Sequence, residues 1–209
     1  MALVSLIFIG PPGSGKGTQA NLLKKDNYKH ISTGDLLRAE VKSGSGLGLE
    51  IKEVIDQGKL VSDEIVTRLL EKNLDFSRFK YIFDGYPRNR NQAKVLNSLL
   101  PSGGFKVMYF DADLEGIKER IVSRRVAPHS GEIYNLMTKP PKVDGICDVS
   151  GEVLIHRKDD QMEVVNNRFE VYVASRDELL GFYAKEDVIR LDASLSVNEV
   201  REEITRNLQ

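Results

Sequence analysis

Residues 3–10 read LVSLIFIG and residues 11–18 read PPGSGKGT. An apolar, β-branched run that stops at Gly10 and gives way to glycines, a lysine and helix-compatible residues predicts a buried strand, a phosphate loop and a helix start. Gly10, Gly13 and Gly15 let the backbone curl until its N–H groups point inward, and the helix that begins at Lys16 turns its positive end towards the same anion. Lys16 adds a mobile cation for the β- and γ-phosphates of a nucleotide. The strand before and the helix after set this segment apart from a plain glycine-rich turn. Gly17 follows the lysine where a Ser or Thr normally holds Mg²⁺. The metal is therefore expected to depend on water, Thr18 or a carboxylate from elsewhere.

The rest of the chain alternates strands with helices. The first helix is predicted from Lys16 to about Asp26, and Tyr28–Ile31 is a short strand candidate. Ser32-Thr33-Gly34-Asp35 can cap a helix in which Leu36, Leu37 and Val41 share a face. A second helical piece presents Ile51, Val54 and Ile55 and closes at Gly58. These two helices are too small to make a core of their own, so residues 33–61 are expected to be an insertion leaning on the main domain. Ser62 and Asp63 can cap a helix carrying Ile65, Val66, Leu69 and Leu70. Lys80–Asp84 then reads as a buried strand ending in a carboxylate. In open α/β sheets the C-terminal strand ends line the ligand crevice, which aims Asp84 at the same place as the phosphate loop.

Further along, Asn91–Leu100 is expected to be helical and Lys106–Asp111 a strand. Leu114, Ile117 and Ile121 mark the buried stripe of the next helix, on which Arg120 and Arg124, four apart, are expected to share a face. From Arg125 to Asp160 prolines and glycines punctuate short segments, Glu132-Ile133-Tyr134 and Val153-Leu154-Ile155 among them, which suits a hairpin-rich insertion. Helical character returns through Val165, Phe169 and Val173, and a separate helix is predicted around Leu179, Leu180 and Tyr183. Val188–Leu191 is a last strand, and Ser196 with Glu199 forms a capping box for a terminal helix that docks through Val197, Val200 and Ile204. The fold class is α/β, a parallel sheet covered by helices on both faces.

The 209 residues are enough for one main domain with insertions, and a net charge of −1 argues against a nucleic-acid partner. The single cysteine, Cys147, permits no internal disulfide and points to a reducing compartment. The apolar run lies two residues from Met1, so no targeting peptide is expected. No stretch approaches membrane-spanning length. The expectation is a cytoplasmic protein with no membrane partner. Acidic substrates must be met by local arginines, and Arg38, Arg88, Arg120, Arg124, Arg157 and Arg168 each fall at an element end or in a loop-like segment near the expected crevice. They are too many for one nucleotide and imply a second phosphate site.

At this point several motifs converge. GPPGSGKGT at 10–18, STGDLLR at 32–38, DGYPRNRNQ at 84–92, Arg124-Arg125, PPKVDG at 140–145 and RKDD at 157–160 resemble the adenylate kinases, over a span from Leu3 to about Tyr183. The resemblance implies a P-loop three-layer α/β/α kinase in three parts. These are a core of residues 1–32, 62–124 and 161–209, a helical AMP-binding insertion at 33–61 and a lid at 125–160. It further implies transfer of the γ-phosphoryl of Mg-ATP to AMP, giving two ADP, by a monomer. ATP would lie on Gly13, Ser14, Gly15, Lys16, Gly17 and Thr18, with Arg120, Arg124 and Arg157 on its phosphates. AMP would be held by Thr33, Arg38, Arg88 and Arg168, with its adenine read by Gln92 and by backbone near Lys59, Val61 and Gly85. Asp84 would orient the waters around Mg²⁺, near Thr18, and Arg124 and Arg168 would bridge both nucleotides.

The lid departs from the family pattern. Glu132 stands where relatives often have Arg, and Asn135 where they often have His, so Glu132 is given no binding role. Some relatives hold the lid with zinc through two Cys pairs. Here only Cys147 matches such a position, and hydrogen bonds through Ser130, Asp148 and Ser150 are expected instead, with no structural zinc. Tyr86 stands for the usual Phe. The competing expectations are a kinase using GTP as donor or another nucleoside monophosphate as acceptor, and a nucleotide-dependent switch without transferase activity. The absence of an N-K-x-D motif and the surplus of arginines weigh against the switch.

Overall fold

A computed structural model describes residues 4–24, 28–101 and 104–208. Leu3, at the start of the first strand, and Lys25 and Asp26, at the expected end of the first helix, lie outside them. Five parallel strands form the sheet: β1 (Ser5–Ile9), β2 (Tyr28–Ser32), β3 (Lys80–Asp84), β4 (Phe105–Asp111) and β7 (Val188–Asp192). Their spatial order is β2-β3-β1-β4-β7. The central strand β1 is buried at every residue, which explains why its sequence is a continuous apolar run and not an alternation.

Its side chains feed two separate cores. Ile7 and Ile9 join Ile31, Phe83, Val107 and Tyr109 on one face, against Leu37 of α2 (Thr33–Ser43), Ile51 of α3 (Gly46–Asp56), Leu70 of α4 (Asp63–Glu71) and Leu96 of α5 (Arg90–Leu99). Leu6 and Phe8 join Ile82, Met108, Phe110 and Leu191 on the other, against Leu23 of α1 (Lys16–Leu23) and Val200 and Ile204 of α8 (Val197–Leu208). The period-2 alternation of strand side chains thus makes a three-layer α/β/α fold. The Ser196–Glu199 capping box forms as expected, with Ser196 N–H on Glu199 Oε2 at 2.8 Å and Glu199 N–H on Ser196 Oγ at 3.3 Å.

Four expectations need correction. Helix α6 (Leu114–Val122) ends at a Ser123 cap, and Arg124 opens β5 (Arg124–Val126), which pairs antiparallel with β6 (Ile133–Asn135). Arg120 and Arg124 therefore do not share a helical face, because the backbone of Arg124 is drawn into a ladder with Asn135. Helix α7 runs unbroken from Met162 to Leu180 in place of two helices. Ser175 does not interrupt it, since its hydroxyl donates back to the Val171 carbonyl at 3.1 Å. At the start of α4 neither Ser62 nor Asp63 makes a side-chain cap: Asp63 accepts instead from Asn89 and Gln92. Val153–Ile155 makes only isolated bridges, Ile146 to Val153 and Val126 to Ile155.

Among the described residues no helix is long and apolar enough to cross a membrane.

Candidate active site

The C-terminal ends of β1, β2 and β3 and the loop after β7 open into one cleft of about 1210 Å³. It lies where the winding reverses, since the chain goes from β1 out to β2 and β3 and then crosses back to β4. This is the expected ligand position in such sheets.

The floor of the cleft is the loop after β1. Gly13 has φ +81°, and a Cβ there would sit 2.5 Å from Ile121 Cγ1 and 2.6 Å from Ile117 Cγ2, so only glycine lets the loop lie against α6. Gly15, also left-handed at φ +90°, is the N-cap residue of α1. Lys16 folds under the loop and donates Nζ to Gly10 O (2.8 Å), Pro11 O (2.7 Å) and Ser14 Oγ (3.2 Å). Desolvation dominates its titration and, despite the opposing pull of Asp84, lowers its pKa to about 8; the Arg88, Arg168 and Arg124 charges act in the same direction.

Asp84, at the end of β3, faces this floor, with its Oδ2 3.6 Å from the place a Cβ on Gly17 would occupy. Glycine at 17 thus leaves room between the helix start and the carboxylate. Burial pushes the Asp84 pKa up, but the His30 hydrogen bond (Nε2–Oδ2, 3.3 Å) and the Lys16 charge outweigh it, and the net shift is downward. An ionised carboxylate beside a phosphate loop and Thr18 is a hard-oxygen set that suits a hydrated Mg²⁺. Among the described residues no group of three or more His, Cys, Asp or Glu is placed to hold a metal ion.

Above the floor stands a wall of arginines gathered from distant elements, each held by an acceptor. Arg124 engages Asp160 through both Nε (2.8 Å to Oδ2) and Nη2. Arg168, from α7, donates Nη1 to Asp159 O (2.8 Å), Asp159 Oδ2 (3.1 Å) and Asp160 Oδ1 (3.4 Å). Arg38 donates to Asp35 at 2.6 Å and lies 4.0 Å from Asp159, while Arg157 lies 4.0 Å from the same Asp35. Arg88 follows the cis Tyr86–Pro87 bond and donates Nε to Gly85 O at 2.9 Å. It is exposed on the cleft side yet lies deep between the cleft walls. Desolvation there, ahead of the Arg168 charge, lowers its pKa to about 10, leaving it cationic at neutral pH. Arg120 stands apart on the opposite wall, with Nη1 3.4 Å from Ala193 O.

Asp35, Asp159 and Asp160 are counter-ions of these arginines that sequence reasoning passed over, although all three sit inside the quoted STGDLLR and RKDD motifs. Carboxylates inside otherwise cationic motifs were the available signal. Asp160 is fully buried, which only its two arginine partners make tolerable. His30 was also missed, because its approach to Asp84 depends on the pairing of β2 with β3.

Beside the arginines a smaller pocket of about 60 Å³ is bordered by Thr33, Leu37, Lys59, Val61, Gly85, Arg88, Gln92 and Arg168. Gly85 has φ +78°, and a Cβ there would lie 2.9 Å from Thr33 Oγ1, which itself donates to Gly85 O at 2.8 Å. The expected acceptor residues thus come together, with Arg38 on the adjoining cleft wall.

In the segment after β5, Ala127, Tyr134, Cys147 and Leu154 form a miniature core. Ser130, Asp148 and Ser150 all hydrogen-bond there, but the hub is Glu152, which accepts from His129 N–H (2.8 Å), Ser130 N–H (2.9 Å) and Ser150 Oγ (2.7 Å). These bonds, Ser130 foremost, hold the Glu152 pKa down to about 2. Asn135 ties this segment to α6, donating to Arg120 O at 2.8 Å while its Oδ1 accepts from Met137 and Thr138 N–H.

Comparison with known proteins reaches the same family from the whole chain. A family model described as adenylate kinase matches residues 8–188. The adenylate kinase of Fervidobacterium nodosum is 41% identical over 204 residues, covering 94% of each chain. That of Thermosipho africanus is 40% identical over 208 residues, covering 96% of this chain and 97% of the relative. That of Kosmotoga olearia is 40% identical over 213 residues, covering 99% of both. A phosphate loop facing a second, arginine-walled pocket is the architecture such an agreement calls for, and the chain belongs to the adenylate kinase family.

Proposed function

We propose that the protein transfers the γ-phosphoryl group of Mg-ATP to AMP, reversibly, giving two ADP. The observation that carries this reading is the set of arginines, Arg38, Arg88, Arg120, Arg124, Arg157 and Arg168, that lines the same cleft as the phosphate loop, next to a 60 Å³ pocket bordered by Thr33, Gly85 and Gln92. A switch that only binds a nucleotide has no use for the second site.

In this reading an oxygen of the AMP phosphate attacks the γ-phosphorus, and the bond from that phosphorus to the β-phosphate oxygen breaks. The attacking oxygen is already deprotonated at neutral pH, so no general base is required. What remains is alignment and neutralisation of charge. ATP lies on Gly13–Thr18 with Lys16, released from Gly10 and Pro11, on its terminal phosphates. Arg120 and Arg157 take the donor phosphates, and Arg38 and Arg88 the AMP phosphate. Arg124 and Arg168 serve the phosphoryl group in flight. An arginine fork meets two oxygens of one phosphate and keeps its charge at any cellular pH, which suits it to this work. Mg²⁺ bound with ATP would neutralise phosphate charge there, and Asp84, with Thr18 nearby, would hold its waters. Thr33 and Gln92, with backbone around Lys59, Val61 and Gly85, hold the AMP base. Residues 33–61 act as the acceptor insertion and 125–160 as a lid that excludes water, the competing nucleophile. The hydrogen bonds around Glu152 hold that lid without zinc. Action as a monomer in the cytoplasm completes the reading; the single cysteine supports the reducing compartment.

The test is phosphorus NMR of the protein with Mg²⁺ and ATP and, in separate tubes, AMP, CMP, UMP and GMP, with GTP then replacing ATP. ADP formation with AMP and ATP is the expected result. Transfer only to another acceptor or only from GTP would reassign one site, and binding without transfer would overturn the enzyme reading.

A further inference from the structure

Gln92, on the first turn of α5, is 2% exposed and borders the small pocket. Its Oε1 accepts from the backbone N–H of Arg88 at 2.8 Å, and its Nε2 donates to Asp63 Oδ1 at 2.7 Å. Neither partner can reverse its role, since a backbone N–H only donates and an ionised carboxylate only accepts. Asp63 is held in turn by Asn89, whose Nδ2 donates to Oδ1 and Oδ2 at 3.0 and 3.2 Å and whose Oδ1 accepts the Gln92 N–H at 2.9 Å. The helix that carries Asp63 is tied to the same segment a turn later, where Thr67 Oγ1 and Tyr86 OH lie 2.9 Å apart. A half-turn of the Gln92 amide, itself buried, would set donor against donor at Arg88 and acceptor against acceptor at Asp63.

That constraint has a chemical consequence for the base beside Gln92. A 6-aminopurine offers an acceptor at N1 and a donor at its amino group, whereas a 6-oxopurine offers a donor at N1 and an acceptor at O6. A freely turning carboxamide serves either edge. A locked one serves only one of them. We propose that Asp63, which does not border the pocket itself, is the positioning residue that sets acceptor specificity, by fixing the Gln92 amide in the orientation complementary to a 6-aminopurine. The inference rests on the AMP reading above and deepens it.

The test compares AMP with inosine monophosphate, which exchanges the amino group for oxygen and protonates N1 without adding bulk. Values of kcat/KM for both acceptors are measured at fixed Mg-ATP for the wild type and for Asp63→Ser, Asp63→Leu and Asp63→Glu. The Ser variant loses the acceptor-only character, because one hydroxyl both donates and accepts and so meets either end of the Gln92 amide. The AMP preference then falls at least about tenfold in Asp63→Ser while the KM for ATP stays within about twofold. Asp63→Leu, which removes the acceptor altogether, carries the same test should the Ser variant not fold. Asp63→Glu, still only an acceptor, keeps the preference within about threefold. An unchanged AMP preference in the folded Ser or Leu variant overturns the proposal, and so does an equal loss in Asp63→Glu. Failure of the wild type to transfer to AMP at all is a different result and overturns the adenylate kinase activity itself.

Discussion

The phosphate loop and the arginine wall both line the cleft with groups suited to phosphate oxygen, but they are built in different ways. The loop is one continuous run, Gly10–Thr18, that contains no acidic residue of its own and whose groups are backbone amides plus one lysine. The wall takes Arg38, Arg88, Arg124, Arg157 and Arg168 from separate elements and must hold like charges together, for which it uses Asp35, Asp159 and Asp160. Preorganisation in the loop is a property of local backbone geometry. In the wall it is a property of ion pairs that exist only in the folded chain, where these carboxylates hold the forks.

The contrast can be broken at the loop first. If backbone amides alone sufficed, Lys16→Met would be mild; the expected outcome is a loss of roughly 10³-fold in kcat/KM, as for other preorganised charge contacts. Because the Lys16 pKa in the free protein lies near 8, the wild-type kcat/KM for ATP should fall above about pH 8 as the ammonium deprotonates, and Lys16→Met should lack that limb. A flat profile through pH 10 would remove Lys16 from this role.

The wall is tested next by Asp160→Asn. Arg124 and Arg168 would then be left in a buried cluster short of one negative charge, and the unliganded protein should lose about 3 kcal/mol of stability. Bound nucleotide should restore part of this, since phosphate supplies the missing anion. Equal destabilisation with and without nucleotide in thermal melts would show that Asp160 holds the fold rather than the wall. Arg88→Ala, which removes a fork that donates to the Gly85 carbonyl, should cost at least about 2 kcal/mol of transition-state stabilisation. Near-normal kcat/KM in that variant would take Arg88 out of the site.

The smallest effect concerns the segment over the cleft. The folded Glu152 pKa, near 2, lies below its ordinary value of 4.5, so its contribution is fully present above about pH 4.5 and is lost as pH falls towards 2. Glu152→Gln should therefore loosen this segment at neutral pH, read as faster amide exchange at His129 and Ser130, while the sheet amides stay protected. Unchanged exchange there would move the organising role to the Tyr134–Cys147 core.

The division between what was legible in the chain and what was not follows the same contrast. Strand β1, the loop and the start of α1 were readable because burial on both faces demands an unbroken apolar run and a tight anion loop demands glycines, both local requirements. The parallel α/β class followed from the alternation of elements, and the identities of Lys16, Asp84 and the arginines followed from motif chemistry. Local pattern misled where tertiary pairing intervened: Arg124 has helical spacing from Arg120, but its backbone is claimed by the ladder with Asn135. The partners were out of reach altogether. His30 meets Asp84 only through strand register, Asp63 meets Gln92 only because α4 lies against α5, and Asp159 and Asp160 become counter-ions only when α7 brings Arg168 beside them. The sequence by itself determined which groups are suited to phosphate, because that chemistry is set by residue type and short spacing. Only the tertiary structure decided which carboxylates and amides hold those groups in place, because such pairs are selected by contact between elements far apart in the chain.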